Sequence, residues 1–344
     1  MTGPPLDHLL AMSDGIGLFE HAEFTEPRAT HGYCTDDVAR LLVVMLRQSP
    51  DDATARVLAR LAFRFLADSQ GTTGRTRNRR AAGGRWRGRH GVEDCWGRSL
   101  WAFGSAARRA PEQWMRQGGM SYFGHGAARR SPHRRAMAFA ALGAAEVVAV
   151  FPRHVPSRRL LADAVVAIGR PSADVVWPWP EERLRYANAA LPEALIAAGD
   201  ALGRTDVIDD GLSLLAWLLD HETLDGHLSP TPVGGRGPGD AAPAFDQQPI
   251  EVAAMADACA RAATVTGDPM WIRGVDMAVL WFEGDNDASA VMWDPITGGG
   301  FDGLEATGVN RNQGAESTLA LVSTMQYAVS PRDGTDAVEE EVSC

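Results

Sequence analysis

The sequence predicts an all-α fold, an (α/α)6 barrel in which six inner helices are ringed by six outer ones. Three observations predict it. Apolar residues recur at helical spacing: Val57, Leu58, Leu61 and Phe65 share a face of Ala53–Ala67, and Leu212, Leu215, Ala216 and Leu219 fall at i, i+3, i+4 and i+7. Alanine, the best helix former, is abundant, and strand-like alternation is scarce. Six segments repeat one design, a polar or acidic opening that runs directly into a small, apolar helix.

These inner segments are GYCTDDVARLLVVML from Gly32, GVEDCWGRSLWAFG from Gly91, SPHRRAMAFAALGAAE from Ser131, RYANAALPEALIAAG from Arg185, FDQQPIEVAAMADACARA from Phe245 and NQGAESTLALVSTM from Asn312. Outer helices are expected between them at Ala53–Ala67, near Pro111–Gln117, and at Ser157–Ile168, Asp210–His221 and Pro269–Phe282, with Leu6–Met12 closing the ring. Ser131-Pro132 reads as an N-cap and first turn, and Gly267-Asp268-Pro269 as one helix ending where the next begins. The expected organisation is one domain over residues 1–329 and a frayed, acidic tail over 330–344.

Composition narrows the chemistry. The chain has 344 residues, 45% hydrophobic and 22% charged, enough for a sizeable core. All 33 basic residues are arginine, so lysine-based phosphate loops, Schiff bases and general bases are excluded. The net charge of −11 is uneven: residues 1–170 carry an excess of arginine, residues 171–344 an excess of acid. Seven arginines crowd Arg75–Arg89. The acidic balance and the lack of a binding motif argue against a nucleic-acid partner, leaving a solvated loop or a site for anionic groups. Cys34, Cys95, Cys259 and Cys344 form neither a disulfide framework nor a zinc motif. No signal peptide and no membrane span are expected, and a cytoplasmic setting is.

Parallel inner helices gather their N-terminal ends at one face of the barrel. The polar openings then converge over an apolar interior, and function is expected there. The openings resemble the six-hairpin glycosidase-like family, above all the helical domains encoded beside, or fused behind, bacterial glycosyltransferases. The likeness runs from Leu6 to about Tyr327 and rests on GLFEHAEFTEPRATHGYCTDDVAR, GVEDCWGRSLWAFG, FDQQPIEVAAMADAC, GGGFDGL and NRNQGAESTLAL. It implies a glycan or sugar substrate, often a mannoside, and a glycosyltransferase as a partner. The arginine-rich Gly74–His90 departs from the family pattern.

Glycoside chemistry needs one carboxyl group to protonate the leaving oxygen and another to activate water or attack carbon. Asp37, Asp94, Asp246 and Glu316 are the catalytic candidates, with Asp36, Glu93, Glu251, Glu181 and Glu182 also near the openings. Asp94 is expected to be the acid, its pKa raised beside Trp96, with Asp37, Asp246 or Glu316 as partner. The competing reading makes these acids helix caps or complements to helix dipoles. Tyr33, Trp96, Trp177, Trp179 and Tyr186 are candidate stacking surfaces. Asn188, Gln247, Gln248, Asn310, Asn312, Arg98, Asp36, Glu93 and Asp302 are candidate hydroxyl partners. His133, or His31, His90 and His125, would serve a sugar epimerase instead. A non-catalytic glycan-binding module is a third reading. TDDVAR lacks the third aspartate of a terpenoid cyclase. HExxH spacing is absent, the acids at Asp285–Asp287 do not match a calcium loop, and no metal or organic cofactor is expected. One cavity should collect Asp37, Asp94, Asn188, Asp246 and Glu316, with the arginine-rich loop at its entrance.

Overall fold

A computed structural model describes residues 5–329, so the expected tail lies outside the described residues. Twelve helices are described: α1 (Asp7–Ala11), α2 (Thr35–Met45), α3 (Ala53–Ser69), α4 (Asp94–Arg109), α5 (Gln113–Gly126), α6 (Arg134–Val150), α7 (Val155–Ile168), α8 (Ala190–Leu202), α9 (Thr205–His221), α10 (Pro249–Thr266), α11 (Pro269–Glu283) and α12 (Ala315–Val329). The even-numbered helices form a closed ring in which each packs on the next and α12 returns to α2. Outside it, α3 packs on α2, α5 on α4, α7 on α6 and α8, α9 on α8, and α11 on α10 and α12. The short α1 takes the sixth outer position against α12. The fold is the (α/α)6 barrel that the sequence predicts.

Small residues let the inner helices approach closely. A Cβ on Gly97 would lie 2.2 Å from the Ala136 carbonyl oxygen, and one on Gly143 would lie 2.2 Å from that of Leu100, so α4 and α6 meet backbone to backbone. Trp96, Phe103, Phe139, Leu195 and Leu319 are among the buried side chains of the ring. Outer helices are amphipathic: Leu58 and Phe65 of α3 are buried, whereas Val57, expected on the same face, turns outward at 55% exposure. The interior is not purely apolar. Arg47 reaches Asp257 at 2.7 Å and Ser323 at 3.0 Å, Tyr327 donates to Asp257 at 2.7 Å, and Arg261 pairs with Glu193 at 2.9 Å. A void of about 40 Å³ lies there beside Trp101 and Phe139.

The two ends of the barrel differ. Connections leaving the inner helices are short (46–52, 110–112, 151–154, 203–204 and 267–268), whereas those entering them are mostly long (12–34, 70–93, 169–189, 222–248 and 284–314). Long loops at one end of a rigid scaffold are where a site is built. Nine strands of two or three residues lie in these loops: β1 (Ala22–Glu23), β2 (Glu26–Pro27), β3 (Tyr33–Cys34), β4 (Arg79–Arg80), β5 (Trp86–Arg87), β6 (Thr223–Leu224), β7 (His227–Leu228), β8 (Gly303–Glu305) and β9 (Gly308–Asn310). β4 and β5 form a hairpin that adds to β3, with Arg80 opposite Tyr33 and Arg79 opposite Cys34. The arginine-rich segment is therefore paired to the strand that leads into α2, while Arg75, Arg79, Arg85, Arg87 and Arg89 stay exposed.

Caps follow the sequence reading in part. Asp268 caps α11 by accepting from the Met270 amide at 2.8 Å, after Gly267 ends α10 in the left-handed region. At Ser131 the reading shifts: its hydroxyl accepts from the His133 amide at 3.1 Å, and α6 starts at Arg134.

Candidate functional site

A cavity of about 450 Å³ opens where the inner helices begin. The opening of α2 contributes Asp36, Asp37 and Arg40; α4 contributes Asp94 and Arg98; α12 contributes Glu316 and Ser317. The segments before α8 and α10 bring Tyr186, Asp246 and Gln248, and the β8–β9 hairpin brings Asp302 and Asn310. Glu20, His21 and Arg79 complete one side.

The acids at these openings are not spent on capping. Cys34 and Glu93 hold the N-cap positions of α2 and α4 with no side-chain bond to the helix, and Asp246 precedes the α10 N-cap residue Gln248, which also makes none. Outer helices α3, α7 and α11 do have capping side chains, from Asp52, His154 and Asp268. Asp36, Asp37, Asp94 and Glu316 thus face the cavity, whereas Glu251 is spent on the Ala187 and Asn188 amides before α8.

Arg40 organises its floor. Its guanidinium donates to Asp37 at 2.6 Å and pairs with Glu316 at 2.6 Å. Burial pushes the Asp37 carboxyl up to about 8; Arg40 opposes this, and Glu316, Glu20 and Asp36 reinforce it. Arg98 lies over the Phe139 ring at 3.8 Å with Asp36 at 3.7 Å. Among the described residues the buried Asp36 Oδ1 and Arg40 Nε have no hydrogen-bond partner. Tyr186 donates to Asp94 at 2.7 Å, and burial raises the phenol pKa. Arg135 packs over the Tyr186 ring at 4.9 Å and is held by Glu181 at 2.8 Å and Asn188 at 3.0 Å.

Several expected site residues lie elsewhere. Asn188 is at the right end of the barrel but fully buried, its amide groups donating to Glu251 at 3.2 Å, so it supports the wall from behind. Trp96 turns into the core and donates to the Gly126 carbonyl at 3.3 Å, so it cannot stack beside Asp94. Trp177 and Trp179 pack on Trp217 of α9, with ring centroids 5.1 and 5.9 Å away. Tyr33 is buried on Phe19 and donates to Asp14 at 2.6 Å. Gln247 is buried beneath the β8–β9 hairpin, exchanging backbone bonds with Leu304. Asn312 accepts from the Phe24 amide at 2.9 Å, which pins the neighbouring loop. Glu93 and His133 are exposed and lie off the cavity wall, as do His90, His125 and Glu182. Glu20, His21, Arg40 and Ser317 were not anticipated, whereas Arg79 comes from the arginine-rich loop expected at the entrance. Arg40 was legible, three residues after Asp37 on the same helix face.

Glu20, Cys34 and Asp37 bring one potential metal-ligand atom each within 4.8 Å of one another. The set is otherwise engaged. Glu20 forms a close ion pair with Arg79, Asp37 is bonded to Arg40, and burial among carboxylates pushes the Cys34 thiol well up, which disfavours the thiolate a metal needs.

No family model matches the chain, and no curated protein does. Solved structures do. The cellobiose 2-epimerase of Bacillus thermoamylovorans superposes with a TM-score of 0.68 at 11% identity, over 94% of this chain and 96% of that one. A D-mannose isomerase gives 0.61 at 10%, over 93% and 94%. A family 9 glycoside-hydrolase endoglucanase gives 0.61 at 12%, over 90% and 73%. At these identities the likeness is one of fold: the chain shares the (α/α)6 barrel with these proteins.

Proposed function

We propose that the protein is a carbohydrate-active enzyme that hydrolyses a glycosidic bond in the mouth of the barrel. The observation that carries this reading is the cavity lining: seven carboxylates and three arginines with a single histidine, His21, among the described residues. Asp37, whose carboxyl is held by burial well above the ordinary carboxylate range, is the general acid. Its proton goes to the leaving glycosidic oxygen as the bond to the anomeric carbon breaks. Asp94, oriented by Tyr186, accepts the proton of the attacking water. Asp36, Arg98, Gln248 and Asn310 supply hydroxyl partners, and the Tyr186 ring a surface for the pyranose face.

The epimerase or isomerase reading is supported by the names of the similar structures, a cellobiose 2-epimerase and a D-mannose isomerase. Against it, the two histidines nearest the mouth, His21 and His31, meet each other edge-on at 5.0 Å instead of facing across the cavity. Incubation with manno- and cello-oligosaccharides separates the readings. Hydrolysis shortens the chain and creates a new reducing end. Retained chain length with an inverted C2 would replace the hydrolase assignment with the epimerase one.

The family resemblance supports a glycosyltransferase as a working partner, which co-purification from the native host tests. The described cysteines are free and buried, which fits a reducing, cytoplasmic setting. Among the described residues no helix is long and apolar enough to cross a membrane.

A further inference from the structure

A second pocket, of about 500 Å³, adjoins the cavity and shares Glu20, His21 and Arg79 with it. Its remaining wall brings Arg80, Arg87, Arg89 and His31 together. The two cavities have opposite electrostatic character. Seven carboxylates against three arginines line the first, whereas four arginines against the single carboxylate of Glu20 line the second.

The pocket is built on a fixed frame. Arg80 is committed to structure: it pairs with Asp68 at 3.0 Å, donates to the Gly84 carbonyl at 2.8 Å and lies 5.0 Å from the Trp86 ring centroid. Trp86 in turn donates to Asp68 at 3.1 Å, and Thr76 and Gly91 exchange backbone bonds at the base of the hairpin. Arg79 is held by Glu20. Arg87 and Arg89 are exposed, and among the described residues neither has a carboxylate within ion-pair distance. Two anchored and two uncommitted guanidinium groups around one concavity form a receptor for an oxyanion, which they can bind bidentately.

We propose that this pocket binds an anionic substituent, a phosphate or carboxylate, on the sugar whose reacting ring occupies the mouth cavity. The proposal rests on the carbohydrate reading above and adds to it the class of substrate. The shared wall puts the two sites within the reach of one saccharide. Their opposite charge allows one orientation, because the anionic group is repelled by the carboxylates of the first cavity and drawn to the arginines of the second.

Calorimetric titration of the full chain with mannose, mannose 6-phosphate, glucuronic acid and inorganic phosphate tests this, in the wild type and in R87Q/R89Q. The phosphorylated sugar or the uronic acid should bind about tenfold or more tighter than the neutral sugar, the two arms distinguishing phosphate from carboxylate. R87Q/R89Q should remove that gain while leaving mannose affinity unchanged, and added salt should weaken the gain in the wild type. Equal affinity for charged and neutral sugars, or a gain that survives R87Q/R89Q, overturns the proposal. Arginine-dependent binding of inorganic phosphate without binding of any sugar would instead overturn the carbohydrate reading and leave an anion pocket.

Discussion

The Arg40 guanidinium donates to the buried Asp37 carboxyl at 2.6 Å, and its other terminal nitrogen lies 2.6 Å from Glu316. One arginine divided between two acids cannot fully neutralise either. Burial and the adjacent carboxylates therefore hold the Asp37 carboxyl well above the range of a solvated aspartate.

Asp37→Asn should abolish turnover and keep the fold. The amide oxygen still accepts from Arg40, but the group can no longer deliver a proton, so kcat should fall on the order of a hundredfold or more. Thermal unfolding should show a midpoint at or above that of the wild type, because a desolvated acid has been removed from beside Glu316, Glu20 and Asp36.

The same group makes stability depend on pH with a defined sign. Unfolded, Asp37 titrates near the ordinary value of about 4. Folded, it is held at about 8. Below the lower value both states are protonated and the group contributes nothing. Between the two values the folded state binds more protons, so stability falls as pH rises, and above the upper value the full penalty applies. The melting temperature should therefore drop between acidic and alkaline pH, and Asp37→Asn should flatten that drop.

Turnover should show an alkaline limb as Asp37 ionises. Glu316→Gln removes a carboxylate that raises the Asp37 pKa and frees Arg40 to favour the ionised form. A pH profile of kcat/KM should accordingly lose activity at lower pH than the wild type. An unmoved limb would remove Asp37 from the acid role.

Tyr186 and Trp179 should separate function from packing. Tyr186→Phe removes the hydroxyl that donates to Asp94 and should lower kcat by about tenfold with little change in stability. Trp179→Ala empties a buried site beside Trp217 and should cost about 3–5 kcal/mol in denaturant unfolding without changing sugar affinity.

Glu251 anchors the turn into α8 by accepting from the Ala187 and Asn188 amides and the Asn188 side chain. Glu251→Ala leaves those buried donors unpaired and should destabilise the protein by about 3 kcal/mol or more, measured from the shift in denaturant midpoint.

The ring was legible because each inner helix carries its own signature, a polar opening followed by small apolar residues, and even the short α1 could be placed. The site was legible where it rides on helix periodicity. Asp94 and Arg98 are four residues apart, so both reach the cavity. Trp96, two residues from Asp94, is about 200° round the helix and enters the core. Residues held by loop geometry were hidden. Glu20 and His21 reach the mouth through a loop with no periodic pattern. Trp177 and Trp179, in an extended proline-rich loop, fold back onto Trp217 because tertiary packing decides where such a loop lies.

The most direct measurement is a crystal structure of the Asp94→Asn variant bound to an oligosaccharide it no longer cleaves. The account predicts a glycosidic oxygen within hydrogen-bond reach of the Asp37 carboxyl, with the side chain at position 94 facing the anomeric carbon. A sugar bound outside the mouth, or one whose glycosidic oxygen is beyond reach of Asp37, would contradict it.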